Sequence, residues 1–285
     1  MLARELGPTI INQETSTLKK TTIRAPFDKY HYYSLSVQSP ESDVSFMFDT
    51  YRDLRSKKAT VLREDFCGAL ANCCSWVEQG RNFTAYGIDN DPEPIAYGKQ
   101  NYLSKLSPLA QKRVHILKRN VLSTKLPSAD IICALNFSYY CFKERKTLGN
   151  YFRSAYKTLK KDGLLVIDCF GGSQCQEANI EETEHDDHQF SYFWDQDTFD
   201  PITHYSKFYI HFKRKGEARR NKVFSYDWRM WTIPELRDLL KEAGFKTTQV
   251  YWEGTTRNGE GNGIFKATET GEECESWIAY LVAAK

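Results

Sequence analysis

The sequence predicts an α/β fold: a doubly wound sheet of seven strands, mostly parallel, with an antiparallel last strand. Strand-like and helix-like segments alternate between residues 59 and 169, which favours parallel strands joined by crossover helices. The last strand-like segment follows its predecessor without a convincing crossover helix, so we expect it to run antiparallel. Two early strands end in acids, Glu64 and Asp89, at the edge where open parallel sheets bind their ligands.

The spacing of apolar residues sets the expected bounds of each element. The strands are expected at Thr60–Arg63, Phe83–Asp89, Val114–Leu117, Ala129–Leu135, Leu164–Cys169, Phe245–Trp252 and Glu275–Ala283. The helices are expected at Glu41–Leu54, Ala69–Gln79, Pro92–Leu106, Lys143–Lys160 and Pro234–Glu242. The segment Ala129–Leu135 is almost wholly apolar, which is typical of a parallel strand buried on both faces. The segment Gly254–Gly263 is expected to be a glycine-rich loop.

Residues 1–285 are expected to form one domain with two additions to the sheet. Residues 1–55 would form an N-terminal arm and cap, and the polar, aperiodic residues 1–25 within them would be a loose arm or a lid. Residues 171–231 would form an antiparallel β insertion on the substrate side. Its strands are expected where aromatic and polar residues alternate, at Phe190–Trp194, Tyr205–Lys213 and Val223–Trp231.

The composition favours a cytoplasmic protein with a small-molecule partner. Lys and Arg number 39 against 37 Asp and Glu, a balance that does not favour nucleic-acid binding through bulk charge. Eight cysteines occur without a C-x-x-C pair, as is typical of a reduced intracellular protein. No apolar segment approaches the length of a membrane span, so we expect no membrane partner.

The turn after the first strand has the features of a ligand-binding turn. Gly68 permits a close approach of the backbone to a ligand, and the helix after it presents free N–H groups. Glu64 and Asp65 point to opposite sides of an extended chain. We therefore expect one of them, preferably Glu64, to hold a positive group of the ligand, while the other pairs with Arg63 or caps the turn. Asp89, at the end of an apolar strand, can bind the two hydroxyls of a ribose.

These segments resemble the class I S-adenosylmethionine-dependent methyltransferases, over roughly residues 59–285 and by the order of the elements. In that family an acidic residue opens a turn that contains three alternating glycines. The similar segment here is Glu64–Leu70, in which Gly68 is the middle glycine. Phe66 and Leu70 stand where the flanking glycines usually stand.

Other parts of the chain resemble the same family in the same order. Asp89 is similar to the ribose-binding acid, and Asn120 to the polar residue that binds the adenine after the third strand. The segment from Leu159 to Asp168 is similar to the family's junction between a helix and the fifth strand. The resemblance implies a Rossmann-like fold, S-adenosylmethionine as cofactor, S-adenosylhomocysteine as product, and methyl transfer to an acceptor that we expect to be a small molecule.

The residues and the resemblance together give the expected site. The cofactor-binding residues are expected to be Arg63, Glu64, Asp65, Cys67, Gly68, Asp89, Asn90, Asn120, Val121 and Asn136. The substrate-binding residues are expected to be Tyr30, Tyr33, Trp194, Tyr209 and Trp228. The catalytic candidates are Asn136, Tyr139 and Tyr140, which follow the fourth strand, where the methyl group and the acceptor should meet. No metal is expected, because the segment His185–His188 has no obvious third ligand nearby.

Three other interpretations stay open. A nicotinamide oxidoreductase would share the ribose-binding acid but normally needs a Gly-x-Gly-x-x-Gly turn, which Cys67–Asn72 lacks. A non-catalytic protein that binds the cofactor on the same fold is favoured slightly by the two missing glycines. An RNA or protein methyltransferase would use the same fold and would be recognised by its partner, and binding that weakens steeply with salt would indicate RNA.

Overall fold

The computed structural model describes residues 25–257 and 261–285, so most of the predicted arm lies outside the described residues. The α-helices in these residues are α1 (Lys29–Val37), α2 (Pro40–Arg55), α3 (Ala71–Glu78), α4 (Pro92–Asn101), α5 (Pro108–Gln111), α6 (Arg145–Thr158) and α7 (Ile233–Ala243). The first six strands are β1 (Val61–Asp65), β2 (Thr84–Asp89), β3 (Val114–Lys118), β4 (Ala129–Ala134), β5 (Leu159–Gly171) and β6 (Asn179–His185). The other strands are β7 (Phe190–Phe199), β8 (Tyr205–Arg214), β9 (Arg220–Arg229), β10 (Thr247–Thr255), β11 (Gly261–Thr268) and β12 (Trp277–Ala284).

The main sheet contains all seven predicted strands. Its strand order is β11-β10-β12-β5-β4-β1-β2-β3, and β1 to β5 run parallel to their neighbours in this group. The last strand, β12, lies between β5 and β10 and is antiparallel to both, as predicted. Because the chain order reverses between β1 and β4, their carboxyl ends open a crevice at the topological switch point.

The main sheet has an eighth strand. It corrects two predictions, the loop over Gly254–Gly263 and the count of seven strands. Here β10 extends to Thr255, and β11 begins at Gly261 and pairs with it in antiparallel fashion. Most β11 side chains are exposed. The sequence signal was weak because the strand is defined by its backbone hydrogen bonds to β10 and not by a buried face.

Each face of the main sheet is covered by helices and apolar side chains. On one face, α6 and α7 contribute side chains such as Phe152 and Leu236 to a large core. On the other face, α2 and α3 contribute side chains such as Met47 and Trp76. Alternate residues of a strand point to opposite faces, so β4 supplies both cores, which explains its nearly continuous apolar sequence.

Local sequence explains where the helices begin and end. Pro92 opens α4, and the side chain of Asp91 accepts a hydrogen bond from the Glu93 N–H, as expected of an N-cap. The α4 helix ends at Asn101, earlier than predicted, and a short 3-10 helix follows it. Thr232 and Glu235 form a capping box at the start of α7. None of the helices in the described part of the chain combines the length and the apolar composition needed to span a bilayer.

The insertion forms a second, antiparallel sheet with the order β6-β7-β8-β9. The three predicted strands are present, and β6 is an additional strand that was not predicted. Its side chains are almost all exposed, and charged residues of this kind are common on sheet edges, where they discourage pairing with other chains. Phe208 of β8 and Trp228 of β9 join the core of the main sheet, which fixes the insertion over its carboxyl edge.

Candidate functional site

The turn after β1 has the backbone conformation of a glycine-rich turn without most of the glycines. Phe66, Gly68 and Leu70 all have positive φ, at 61°, 45° and 67°. The left-handed region costs a non-glycine residue about 1 kcal/mol or more. Burial of Leu70 and contacts of the Phe66 ring with Phe142 and Tyr151 offset this cost. The alternation expected from the family's motif is therefore kept in the backbone.

A cavity of about 500 Å³ opens in front of this turn, at the carboxyl ends of β1, β2, β3 and β4. Eight of the ten residues expected to bind the cofactor line it: Glu64, Cys67, Gly68, Asp89, Asn90, Asn120, Val121 and Asn136. The cavity is also lined by Lys29, Phe66 and Arg119, which were not among the expected residues. We call this space the donor cavity. A Cβ atom at Gly68 would meet no atom within 4 Å, so the backbone there faces open space.

Asp89 links the turn after β1 to the segment after β2 through its carboxylate. One carboxylate oxygen accepts the Gly68 N–H at 2.8 Å, and the other accepts the Asp91 N–H at 2.9 Å. Each carboxylate oxygen has a second lone pair, so the group can still accept bonds from two ligand hydroxyls. The role of helix N-cap belongs to Asp91, as expected.

Glu64 lies at the inner end of the donor cavity. Its carboxylate accepts hydrogen bonds from the side chain of Asn72 at 3.1 Å and from the Cys73 N–H at 3.2 Å. Burial raises the pKa of Glu64 to about 7, although these hydrogen bonds lower it. A cation placed beside it would stabilise the charged form.

Arg63 and Asp65 do not line the donor cavity, which corrects their assignment as cofactor-binding residues. Both side chains are 0% exposed and form a two-bond ion pair, with two N–O distances of 2.9 Å. Arg63 also donates to Thr158 and to the Pro127 carbonyl, and Tyr151 donates to Asp65. The alternation of side chains along β1 sends Glu64 to one face and its two neighbours to the other. The pairing of Asp65 with Arg63, considered from the sequence, is confirmed.

A second cavity, of about 520 Å³, adjoins the first. It lies between α1, the carboxyl ends of β4 and β5, the insertion sheet and the edge formed by β10 to β12. We call it the acceptor cavity. Both cavities are lined by Tyr33, Leu135, Asn136, Tyr226 and Trp228. These residues form the junction between the two cavities.

Asp168 holds the backbone at the junction through two hydrogen bonds. Its carboxylate accepts the backbone N–H groups of Asn136 at 2.5 Å and Phe137 at 2.8 Å. Both of those residues have positive φ, 55° and 54°, so the carboxylate holds a strained turn directly after β4. Burial raises the pKa of Asp168 to about 7, with a further upward contribution from Asp43. The Asn136 side chain is thereby presented where the cavities meet.

The other expected site residues are distributed unevenly. Tyr33, Trp194 and Trp228 line the acceptor cavity, whereas Tyr30 lines only the donor cavity. Tyr209 lines neither cavity, because it lies on the opposite face of β8 from Ile210, which does. Its ring lies under the ammonium group of Lys222, 3.9 Å from the ring centre.

Tyr139 and Tyr140 are buried and line neither cavity, so their proposed place in the pocket is corrected. The Tyr139 hydroxyl donates to the Asp168 carbonyl at 2.7 Å, and the Tyr140 hydroxyl donates to the Trp231 carbonyl at 3.3 Å. Burial raises the pKa of both phenols well above the usual value. They act in packing, and Asn136 is the candidate that remains at the junction.

Several lining residues were not found from the sequence. Asp168 had the same signal as Asp89, since it is an acid within an otherwise apolar strand. Asp43 and Tyr280 come from distant parts of the chain and meet through a hydrogen bond of 2.6 Å, which only the fold reveals. In the described residues, no group of three or more His, Cys, Asp or Glu side chains is arranged to hold a metal ion.

No protein-family model matches the sequence, and no curated protein matches it. Solved structures do match the fold. An S-adenosylmethionine-dependent methyltransferase from Clostridium acetobutylicum is 15% identical, with a TM-score of 0.62 over 88% of this chain and 96% of that one. CalS10, an amino pentose methyltransferase from Micromonospora echinaspora involved in calicheamicin biosynthesis, is 13% identical, with a TM-score of 0.63 over 92% and 98%.

The match extends over nearly the whole chain in a third case. The sugar N-methyltransferase KedS8 from Streptoalloteichus is 16% identical, with a TM-score of 0.60 over 99% of both chains. Identities this low show the fold alone. Together with the strand order and the antiparallel last strand, these likenesses give the chain the Rossmann-like fold of the S-adenosylmethionine-dependent methyltransferases.

Proposed function

We propose that the protein transfers a methyl group from S-adenosylmethionine to a small molecule. The observation that carries this proposal is the pair of adjoining cavities that meet at Asn136. The donor cavity lies at the topological switch point of the sheet, where nucleoside ligands bind in doubly wound folds. The acceptor cavity has the size and the aromatic walls that suit a small molecule.

The residues that line the donor cavity suit the chemical groups of S-adenosylmethionine. The open space at Gly68 lets a ligand approach the backbone, and Asp89 is placed to accept bonds from the ribose hydroxyls. Glu64 supports the binding of the ammonium group, because its buried carboxylate would gain from a nearby cation. Asn120 follows β3 on the side where the resemblance assigns the adenine.

When bound, S-adenosylmethionine supplies an electrophilic methyl group on a positively charged sulfur. The residues of this chain would bind the two reactants, exclude water and align the acceptor atom with the methyl group. Such alignment can contribute about 7–11 kcal/mol in favourable intramolecular cases. The Asn136 side chain would orient the acceptor at the junction, and Asp168 would hold the Asn136 turn in place.

The solved structures support a small acceptor. Two of the matching proteins methylate sugars according to their names, an amino pentose methyltransferase and a sugar N-methyltransferase. The insertion also narrows access to the acceptor cavity, because Trp194 and Trp228 reach into it from β7 and β9. We further propose a reducing compartment, the cytoplasm, since all eight cysteines are free thiols and six are buried.

Calorimetric titration with S-adenosylhomocysteine tests the donor cavity. We expect binding by the unmodified protein and a loss of at least about 100-fold in affinity for Asp89→Ala, because charged groups contribute about 1.5–3 kcal/mol per hydrogen bond. Asp130→Ala is the matched control. Asp130 also accepts two backbone N–H groups, at 2.9 and 3.0 Å, but it does not line the donor cavity.

The outcomes separate the open interpretations. Unchanged affinity in Asp89→Ala would contradict the placement of the ribose. Binding of NAD in place of the sulfur compounds would favour an oxidoreductase. A third outcome is that the protein binds S-adenosylhomocysteine and yet forms none from S-adenosylmethionine when candidate acceptors are added. This result would favour a non-catalytic protein.

A further inference from the structure

Every charged side chain that lines the acceptor cavity in the described part of the chain is acidic. These side chains are Asp43, Asp168, Glu181 and Glu253. No Lys, Arg or His is among its lining residues within 25–257 and 261–285. The donor cavity differs, since Lys29 and Arg119 line it together with its acids. The absence of a positive group is therefore a property of the acceptor cavity and not of the whole carboxyl edge.

Aromatic rings also line the same cavity. Tyr226 and Trp228 lie with ring centres 4.4 Å apart, and Trp194 lies 6.1 and 6.3 Å from them. Tyr33, which also lines the cavity, has its pKa raised to about 12 by burial, so its phenol stays neutral. Ring faces attract cations, and groups of rings are the usual recognition device for ammonium groups.

A bound cation would stabilise the charged forms of the buried acids in this cavity. Burial raises the pKa of Asp43, although the Tyr280 hydroxyl donates to it at 2.6 Å. Asp168 lies below the junction, and its two oxygens have only backbone N–H donors. In neither case does the described cavity supply a positive side chain that would compensate the charge. A cationic ligand would do so.

We propose that the acceptor is a cationic amine, bound by the aromatic rings and the acids that line this cavity, and that the methyl group goes to its nitrogen. This proposal rests on the proposed methyl transfer and adds the chemical class of the acceptor. The carboxylates attract the ammonium group, and the rings bind its alkyl substituents. An anionic acceptor would be repelled by the same acidic side chains and should bind more weakly.

The transfer requires the amine to give up a proton, because only the neutral nitrogen has a lone pair. Asp168 lines the cavity and accepts the backbone N–H of the junction residue Asn136, so it would take this proton. The nitrogen then forms its bond to the methyl carbon, and the carbon–sulfur bond breaks with its electron pair left on sulfur. The products are a methylated ammonium ion, neutral S-adenosylhomocysteine and a protonated carboxyl that returns its proton to water.

Three probes that differ in charge test the proposal. Phenethylamine, 2-phenylethanol and phenylacetate share one aromatic ring and carry charges of plus one, zero and minus one. Each is titrated calorimetrically into the protein, first alone and then with saturating S-adenosylhomocysteine, which prevents turnover. We expect the amine to bind at least about tenfold more tightly than the alcohol, and phenylacetate to bind most weakly.

Variants locate the effect in the cavity. Asp43→Asn keeps the shape and an acceptor for Tyr280, and it should weaken amine binding about tenfold while leaving the alcohol unchanged. Glu181→Gln should weaken amine binding about threefold, because this exposed charge is screened by water. Glu182→Gln is the matched control, since Glu182 is the next residue of β6, points to the other face and does not line the cavity.

The result decides the proposal in either case. Equal binding of the amine and the alcohol, or equal effects of Glu181→Gln and Glu182→Gln, would overturn it, and S-adenosylhomocysteine binding would then leave the proposed methyl transfer intact. If S-adenosylhomocysteine does not bind, the methyl transfer fails and the amine is not a methyl acceptor. The titration of the free protein would then still show whether the cavity selects cations.

Discussion

Replacing Asp65 by asparagine should destabilise the protein strongly and leave cofactor affinity unchanged. Asp65 and Arg63 are both 0% exposed, and two hydrogen bonds of 2.9 Å join them. Removing one partner of a buried ion pair leaves the other charge without compensation, which costs about 3–5 kcal/mol. Tyr151, which donates to Asp65 at 3.0 Å, would lose a charged acceptor as well. Because Asp65 does not line the donor cavity, ligand contacts are not removed.

Urea denaturation gives the free energy of unfolding, and a thermal melt gives a second readout. A loss of about 3–5 kcal/mol corresponds to a decrease in melting temperature of roughly 10 °C for a chain of this size. Titration of the folded variant at low temperature with S-adenosylhomocysteine should give a Kd within about twofold of the parent. Glu242→Gln is a suitable control, since Glu242 pairs with Arg145 on the surface, where ion pairs contribute about 1 kcal/mol or less.

Two results would refute this reasoning. A destabilisation below about 1 kcal/mol would match the surface control. It would show that the loss of Asp65 does not leave Arg63 as an uncompensated buried charge. A folded Asp65→Asn variant that had lost its affinity for S-adenosylhomocysteine would restore the original prediction that Asp65 contacts the cofactor. The Arg63→Met substitution should lower the free energy of unfolding less in the Asp65→Asn variant than in the parent protein, because the two groups act as a unit.

Three further predictions follow from the cavities. Gly68→Ala should cost about 1 kcal/mol of stability at its positive φ and weaken S-adenosylhomocysteine binding more than tenfold, because the added methyl group enters the donor cavity; denaturation and titration check this. Burial raises the pKa of Glu64 from 4.5 to about 7, so the folded state binds a proton that the unfolded chain releases between these values. Stability should therefore fall as pH rises from about 5 to 7 and then level off, and Glu64→Gln should remove roughly 2–3 kcal/mol of this fall in urea denaturation. Trp194→Ala should weaken acceptor binding, whereas Tyr209→Ala should not, and a titration of both variants with phenethylamine compares them.

The fold was predictable because its main signal is burial. Parallel strands covered on both faces require nearly continuous apolar segments, and β4 and β5 supply them. The edge strands β6 and β11 were missed for the same reason, since both are largely exposed and pair through backbone hydrogen bonds that leave no apolar pattern.

The site was predictable in the donor cavity and less so beyond it. Glu64 and Asp89 stand at strand ends, and the position of a strand end follows directly from the apolar pattern. The roles of Tyr139 and Tyr140 depended on the direction of side chains in a short 3-10 helix, which spacing alone does not give. Asp43 and Asp168 meet the acceptor cavity only because α2 packs over β5 in the folded chain.

The missing glycines show why a motif and its geometry are separable. The left-handed conformation at Phe66 and Leu70 costs about 1–3 kcal/mol at each position. Complete burial of a leucine contributes about 1.5–3 kcal/mol, which is of the same size. Glycine at these positions would avoid the cost of the left-handed conformation but would lose the stabilisation from a buried side chain. Neither choice is therefore clearly more stable. The sequence can therefore depart from the glycine pattern while Gly68, the position that faces the cavity, stays without a side chain.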